Sequence, residues 1–518
     1  MITPHLFYKE EVFMTGKAYT ACIQGVNGRL VEVEADVMGG IPGFELTGNL
    51  SGIVKESKER VRLAIRNSKV KLNPAKVIIN LAPARIRKEG AHYDLAIAIS
   101  VLCATGILEK EINDTLLIGE LALDGRILPI KGVLPMIDIA NKMGLRRCIV
   151  PKDNVGEGTL IKGIEVLGAE TLRECIDFFR GNGTLYKKDY VSNAINEENT
   201  YDYNDIIGQE GLKRGVLIAA SAMHNILMIG PPGAGKTMAA MRIDSIMPPL
   251  SEEQVIDISR IYSVAGLIDS DRGYINHRPF RSPNYTITAT AMTGGGLNPI
   301  PGEMSLAQYG VLFLDELNLF KPEVIETLRI PLETKVIKLN RASGTYEYPA
   351  DFMLVAAINP CKCGYYPDRE RCNCTEKDIR QHMGKISRPI IDRIDICVEA
   401  PKVEYKYISA QEDNYIYSSA YMRDMVLKVH SIQQDRFISE KYKFNSKIPI
   451  NDISKFCPME KDAEMLLKTV YERYNLTLRA YHKIIKVART IADLEEHEVI
   501  MLPDVGEAVG YRMTEVIR

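Results

Sequence analysis

Residues 226–237 read ILMIGPPGAGKT. Four apolar residues run into a loop of Gly and Pro, and MAAMRIDSI (238–246) follows as a helix-forming stretch. That order of strand, G-x-x-x-x-G-K-[ST] loop and helix is what a phosphate-binding turn requires. Gly230, Pro231, Pro232, Gly233, Ala234 and Gly235 make the loop, and Gly233 and Gly235 let backbone N–H groups turn inward around a phosphate. Lys236 is placed to reach the β- and γ-phosphates of ATP, and Thr237 to ligate Mg²⁺. A chance Gly/Pro loop has no reason to carry a strand before it and a helix after it.

Farther along, VLFLDE (311–316) is an apolar strand that ends in two acids. Asp315 is expected to hold the metal's water shell and Glu316 to polarise the attacking water. MLVAAIN (353–359) ends in Asn359, a strand-tip amide that can orient that water beside the acids. The runs 226–229, 311–314 and 352–358 are continuously apolar, as suits strands of a parallel sheet covered on both faces. An α/β, parallel-sheet ATPase core is therefore expected over residues 205–401. Residues 402–518 read as a helical lid: Ile484, Ile485, Val487, Ala488, Ile491 and Ala492 share one helix face, with Lys483, Lys486, Arg489 and Glu495 elsewhere.

CKCGYYPDRERCNC (361–374) spaces Cys361, Cys363, Cys372 and Cys374 as two Cys-x-Cys pairs. Four thiolates can close a tetrahedral Zn²⁺ site with no position left open, so a structural zinc is expected. Redox-active pairs or free thiols are the alternative. Ten cysteines in 518 residues are too few for a disulfide scaffold, and the other six are scattered.

HNILMIGPPGAGKT, SVAGL (263–267), RPFRSPN (278–284), GGGLNPIPGEMSLAQYGVLFLDEL (294–317), NPCKCGYYPD (359–368) and PIIDRIDICVE (389–399) together resemble the magnesium-chelatase-like YifB/ComM family of AAA+ ATPases. The resemblance implies Walker A, Walker B and sensor-1 roles for GPPGAGKT, VLFLDE and Asn359. It implies two arginines as well. Arg393, in DRID (392–395), matches a finger that reaches into a neighbouring copy's site. Arg479, in LTLRAYHKIIKVARTIADL (476–494), matches the lid's sensor-2 arginine, with Thr477 as the helix N-cap. Each adds positive charge where the transferring phosphoryl develops negative charge. An arginine supplied in trans implies a ring, by analogy a homo-hexamer.

Residues 1–180 alternate short β-rich runs with helical stretches and read as a mixed α/β domain; residues 181–204 are polar and read as a linker. Segments 77–103 and 118–154 resemble the proteolytic domain of Lon. That chemistry needs a Ser nucleophile and an activating Lys. Alignment on KEG (88–90) puts His92 in the nucleophile's place, and alignment on GRILPI (125–130) puts Leu134 in the lysine's. The resemblance implies the fold without the protease.

Residues 51–90 hold eleven basic side chains (Lys55, Lys58, Arg60, Arg62, Arg66, Lys69, Lys71, Lys76, Arg85, Arg87 and Lys88) against three acids, within a chain of net charge -2. Such a patch suits DNA phosphates; a solvated helix face is the alternative. A hairpin expected over 332–352, turning at Ala342-Ser343-Gly344, carries Lys335, Lys338 and Arg341. By resemblance to AAA+ helicases it faces a central pore, as does the GGG loop at 294–296; an exposed hairpin with ordinary surface charge is the alternative.

Lys+Arg total 65 and Asp+Glu 67, which excludes a generally basic histone-like protein and an acidic tail. Hydrophobic residues at 46% and charged at 25% exclude wholesale disorder. The most apolar stretch, 216–232, contains Ser221, His224 and Asn225, so no membrane span is expected. MITPHLFYKEEVF at the start has Lys9, Glu10 and Glu11 where a secretory leader needs an apolar core, so a cytoplasmic location is expected. Together these readings point to an ATP-driven AAA+ ring motor on single-stranded or branched DNA. By resemblance it is a branch-migration helicase of recombination or natural transformation, with recombination proteins as partners. The alternatives are a magnesium-chelatase-type motor subunit, although the chain lacks a D-x-S-x-S motif, and a protein-remodelling ATPase, which Tyr346 and Tyr348 near the hairpin would suit.

Overall fold

The computed structural model describes residues 15–108, 112–189, 201–296, 298–341, 344–366, 368–403 and 417–512. The stretch read against a leader peptide (1–13), residues 190–200 of the expected linker, and Ala342 and Ser343 of the expected turn lie outside the described residues. Two compact units emerge. One takes the described residues of 1–193 with 252–276 and 339–347; the other takes those of 194–251, 277–338 and 348–518. Among the described residues no helix is long and apolar enough to cross a membrane.

The first unit is built on a seven-stranded mixed sheet. Its strand Asn27–Met38 alternates: Val31, Val33 and Ala35 point inward while Glu32, Glu34 and Asp36 stay partly exposed. It pairs antiparallel with Gly16–Gln24 and with Lys76–Ala82. Beyond Gly16–Gln24 the sheet continues in parallel through Thr115–Leu117, Arg147–Pro151 and Glu165–Ala169. Helix Gly52–Asn67 buries Val54, Ser57, Val61, Ala64 and Ile65, one stripe at helical spacing. Helix Asp94–Ala104, DLAIAISVLCA, is apolar on all sides and buried almost throughout. The insert 252–276 belongs to this unit too: helix Glu252–Ala265 packs on helix Val133–Lys142, and Arg260 lies 3.2 Å from Asp138.

The second unit carries a five-stranded sheet in the order Phe280–Arg281, Val311–Leu314, Met353–Ile358, Ile226–Ile229, Ile396–Glu399. Every pairing is parallel. The runs ILMI, VLFL and MLVAAI are buried at every position, as continuously apolar parallel strands must be. Ile229 pairs with Ile358 and Leu314 with Ala356. Gly230, Asp315 and Asn359 therefore leave the sheet at the same edge, where ligands of open α/β sheets bind. The helix expected over 238–246 is two short ones, Lys236–Met241 and Ile243–Ile246. They break at Arg242, whose guanidinium is buried and holds the Asp202 and Met238 carbonyls and the Asp205 carboxylate.

Helices Ser419–Arg436, Lys461–Tyr474, Leu478–Leu494 and Leu502–Gly510 share one apolar core with that sheet. Thr477 caps the third: its hydroxyl accepts the Ala480 N–H at 3.2 Å. A buried polar hub ties this helix to the sheet. Asp395 accepts the Asn225 N–H at 2.8 Å and the Lys483 ammonium at 2.5 Å, while Lys483 also donates to the Arg393 carbonyl at 2.8 Å. Burial alone would raise the Asp395 pKa, but Lys483 overrides it and holds the carboxyl well below the usual carboxylate range.

His224 sits beside this hub, fully buried, with Nε2 2.9 Å from the Thr490 hydroxyl and Nδ1 3.9 Å from Asp395. Burial pulls its pKa from 6.5 down to about 4, against the pull of Asp395. The unfolded chain therefore binds the extra proton first as pH falls. Stability tied to this group is full above about pH 6.5 and is lost toward pH 4, on the order of 3 kcal/mol in all. Denaturant midpoints measured across that window should fall more steeply for wild type than for His224→Gln; parallel slopes would remove the assignment.

Candidate functional site

The loop after strand Ile226–Ile229 closes on its own lysine. Lys236 is 7% exposed, and its ammonium donates to the carbonyls of Gly230 at 2.7 Å and Pro231 at 2.8 Å and to Asn359 Oδ1 at 3.2 Å. Burial lowers its pKa, and Asp315 and Glu316 partly offset that. Gly233 and Gly235 take φ of +77° and +89°, a region only glycine enters without strain. At Gly230 a Cβ would lie 2.1 Å from the Ala400 carbonyl oxygen, so no side chain fits.

Thr237 Oγ1 donates to Asp315 Oδ2 at 2.8 Å, and Asp315 Oδ1 accepts the Glu316 N–H at 2.9 Å. A hydroxyl and a carboxylate side by side are an oxygen-only donor pair, the chemistry that suits Mg²⁺. Glu316 is exposed and adopts φ +50°, ψ +46°. A non-glycine residue held in that left-handed region costs about 1–3 kcal/mol and recurs at functional sites. The structure thus brings Lys236, Thr237, Asp315 and Asn359 together, with Glu316 next in chain. Sequence reasoning missed His382: its Nε2 lies 3.1 Å from the Asn359 carbonyl oxygen and also meets the Asn318 side-chain amide nitrogen. A histidine inside a polar helix, DIRQHM, gave no signal of this.

The two arginines lie in the same unit and meet at one residue, Glu333. Arg393 is 6% exposed, and its guanidinium donates to the carbonyls of Arg329 at 2.8 Å and Pro389 at 2.6 Å. Arg479 stands half-exposed in the first turn of its helix. Glu333 was invisible to motif reading, because LET (332–334) resembles any helix end.

Cys361, Cys363, Cys372 and Cys374 converge as free thiols, with Sγ–Sγ approaches of 3.3 to 3.7 Å. A tetrahedron of thiolates around Zn²⁺, with Zn–S of about 2.3 Å, has edges of about 3.8 Å, so the donor set fits that metal. The Tyr365 N–H is the leading cause that brings the Cys363 thiol down to about 7. The loop abuts the phosphate loop directly. A Cβ at Gly364, which has φ +84°, would come within 2.6 Å of Pro232 Cδ.

In the first unit, Leu134 is fully buried; its N–H faces Glu157 Oε2 at 3.4 Å and Ser263 Oγ at 3.3 Å. Ser263, from SVAGL, also donates to Glu157, so this motif anchors the insert. His92 Nε2 donates to the Ala21 carbonyl at 3.0 Å. The basic segment 51–90 loses members to structure. Lys88 is fully buried and donates to the Pro83 carbonyl, and Arg60 pairs with buried Asp94. Arg62, Lys76 and Arg87 pair with Glu59, Glu45 and Glu89. Lys55, Lys58, Arg66, Lys69, Lys71 and Arg85 remain exposed. The hairpin forms as Val336–Arg341 and Gly344–Pro349, but Lys335 precedes it and lies 3.6 Å from Asp351. The GGG loop pairs Gly294–Gly295 with Ile300–Pro301.

Comparison with known proteins places these features in a family. The profile for magnesium chelatase, subunit ChlI, matches residues 202–408. Profiles for subunit ChlI of Mg-chelatase and for the ChlI C-terminal region match 33–154 and 417–512. The chain is 37% identical over 501 residues to the competence protein ComM of Haemophilus influenzae, covering 95% of this chain and 96% of that one. It is 38% identical over 499 residues to the uncharacterized protein YifB of Escherichia coli, again covering 95% and 96%. The N-terminal region shares 31% identity over 175 residues with the Lon protease of Brevibacillus choshinensis, which is 32% of this chain and 21% of that protease. The chain therefore belongs to the magnesium chelatase ChlI family of AAA+ ATPases, among its ComM- and YifB-type members.

Proposed function

We propose that this chain works in the cytoplasm as a homo-hexameric motor that hydrolyses ATP to move branched or single-stranded DNA, as in branch migration alongside recombination proteins. The observation that carries the reading is the meeting of Lys236, Thr237, Asp315 and Asn359 at one edge of a parallel sheet. Lys236 exchanges its carbonyl partners for β- and γ-phosphate oxygens, and the Gly230–Gly235 backbone cradles them. Glu316 polarises the attacking water and accepts its proton, while Asn359 orients it. Thr237 and Asp315 would hold Mg²⁺, which supplies charge neutralisation at the phosphates. The four cysteines would hold Zn²⁺, which supplies local folding energy. Arg393 serves the terminal phosphate of a neighbouring copy as its finger, and Arg479 adds the lid's sensor-2 charge where the transferring phosphoryl becomes negative.

The DNA half of the reading is supported by a relative named a competence protein and by exposed Lys and Arg on 55–71 and at Lys338 and Arg341. With Leu134 and His92 in the dyad positions, the N-terminal domain does no proteolysis. Steady-state ATPase with and without forked DNA, at low and high salt, tests the proposal. DNA is expected to raise turnover and to bind with steep salt dependence. Normal turnover with no DNA effect at either salt would shift the reading to a chelatase-type motor, which the family name favours.

A further inference from the structure

Two cations converge on one carboxylate. Glu333 Oε2 lies 2.9 Å from Arg393 Nη2, and Glu333 Oε1 lies 2.5 Å from Arg479 Nη2. The three side chains are not equally free. Arg393 has 7% of its side chain exposed, and its Nε and Nη1 are fixed on the carbonyls of Arg329 and Pro389. Glu333 and Arg479 have 42% and 47% exposed. The group is thus an anchored cation, a movable anion and a movable cation.

Two guanidiniums aimed at one point form a receptor for an oxyanion with several oxygens, and they bind phosphate at least as well as carboxylate. A single carboxylate leaves one positive charge of the pair unbalanced; a phosphate carries enough charge for both. The half-exposed Glu333–Arg479 contact also adds little to folding, because solvent screens it. Stability alone therefore does not account for the second arginine.

We propose that Glu333 is a built-in competitor for phosphate. Its carboxylate fills the position that a nucleotide's terminal phosphate takes, and it swings into solvent when that phosphate arrives. Arg393, anchored by its other nitrogens, keeps Nη2 aimed at the anion, and Arg479 follows the anion. This rests on the ATP-motor reading, in which these arginines serve the phosphate.

The test is steady-state ATPase kinetics on the full chain with Glu333→Gln and Glu333→Ala. Removing the competitor should lower the KM for ATP roughly five- to tenfold. Inhibition by added inorganic phosphate should strengthen by a similar factor. Both gains should vanish when Arg479→Ala is added. Unchanged KM and phosphate inhibition in both variants, with thermal midpoints matching wild type, would overturn the proposal. So would a fall in kcat at constant KM, because the reaction would then need the carboxylate. Wild type that never cleaves ATP brings down the motor reading and this proposal together; wild type with normal turnover confines any failure to Glu333.

Discussion

Glu316→Gln is expected to bind ATP with wild-type affinity and to turn it over about 10²–10⁴-fold more slowly, the usual loss when a general base is removed. The side chain is exposed at the end of Val311–Leu314, so the substitution opens no cavity. Glutamine keeps the length and the backbone's φ of +50° but cannot take a proton from water. Lys236→Ala is expected to fail earlier, at binding. The ammonium donates to the Gly230 and Pro231 carbonyls and to Asn359. Its loss removes the charge that phosphate oxygens would replace those acceptors to meet. Equilibrium binding of a fluorescent ATP analogue and phosphate-release rates separate the two variants. Comparable turnover in either variant and wild type would dismiss these roles.

On the proposal that the Cys361–Cys374 loop holds zinc, removing it by chelation or by Cys372→Ser should lower the thermal midpoint of the second unit and weaken ATP binding together. Cys361 and Cys372 are buried with Ile379 in a small satellite cluster that has few apolar contacts of its own. A structural zinc makes its binding energy into local folding energy. If even about 2 kcal/mol of that is lost, the midpoint drops by about 3 °C. The coupling to ATP follows from two contacts. Gly364 abuts Pro232 of the phosphate loop, and His382, on the helix Glu376–Met383 that follows Cys374, holds the Asn359 carbonyl. Metal content per chain, calorimetry and the KM for ATP check this. A zinc-free preparation with unchanged midpoint and KM would rule it out.

Much of the architecture was legible because apolar patterning acts locally. The runs 226–229, 311–314 and 352–358 have no polar face, so only a sheet covered on both sides accommodates them, and each is a buried parallel strand. Helix Leu478–Leu494 and its Thr477 cap follow from spacing and side-chain chemistry alone. Charge was less legible. A count along residues 51–90 cannot know that Lys88 folds inward onto a carbonyl or that Arg60 must neutralise Asp94 inside helix packing. Lys483, read as part of a polar helix face, instead points its ammonium at Asp395.

By itself the sequence determined the strand–loop–helix at 226–241, the α/β class, the family and the cysteine spacing, since each depends on neighbours within a few residues or on motifs that survive as strings. Only the tertiary structure decided that residues 252–276 and 339–347 cluster with the N-terminal unit, that Arg393 is anchored within its own chain, and that Arg393 and Arg479 share Glu333. Those outcomes depend on which side chains meet across 60 to 146 positions of chain, and on which polar groups burial forces to find a partner.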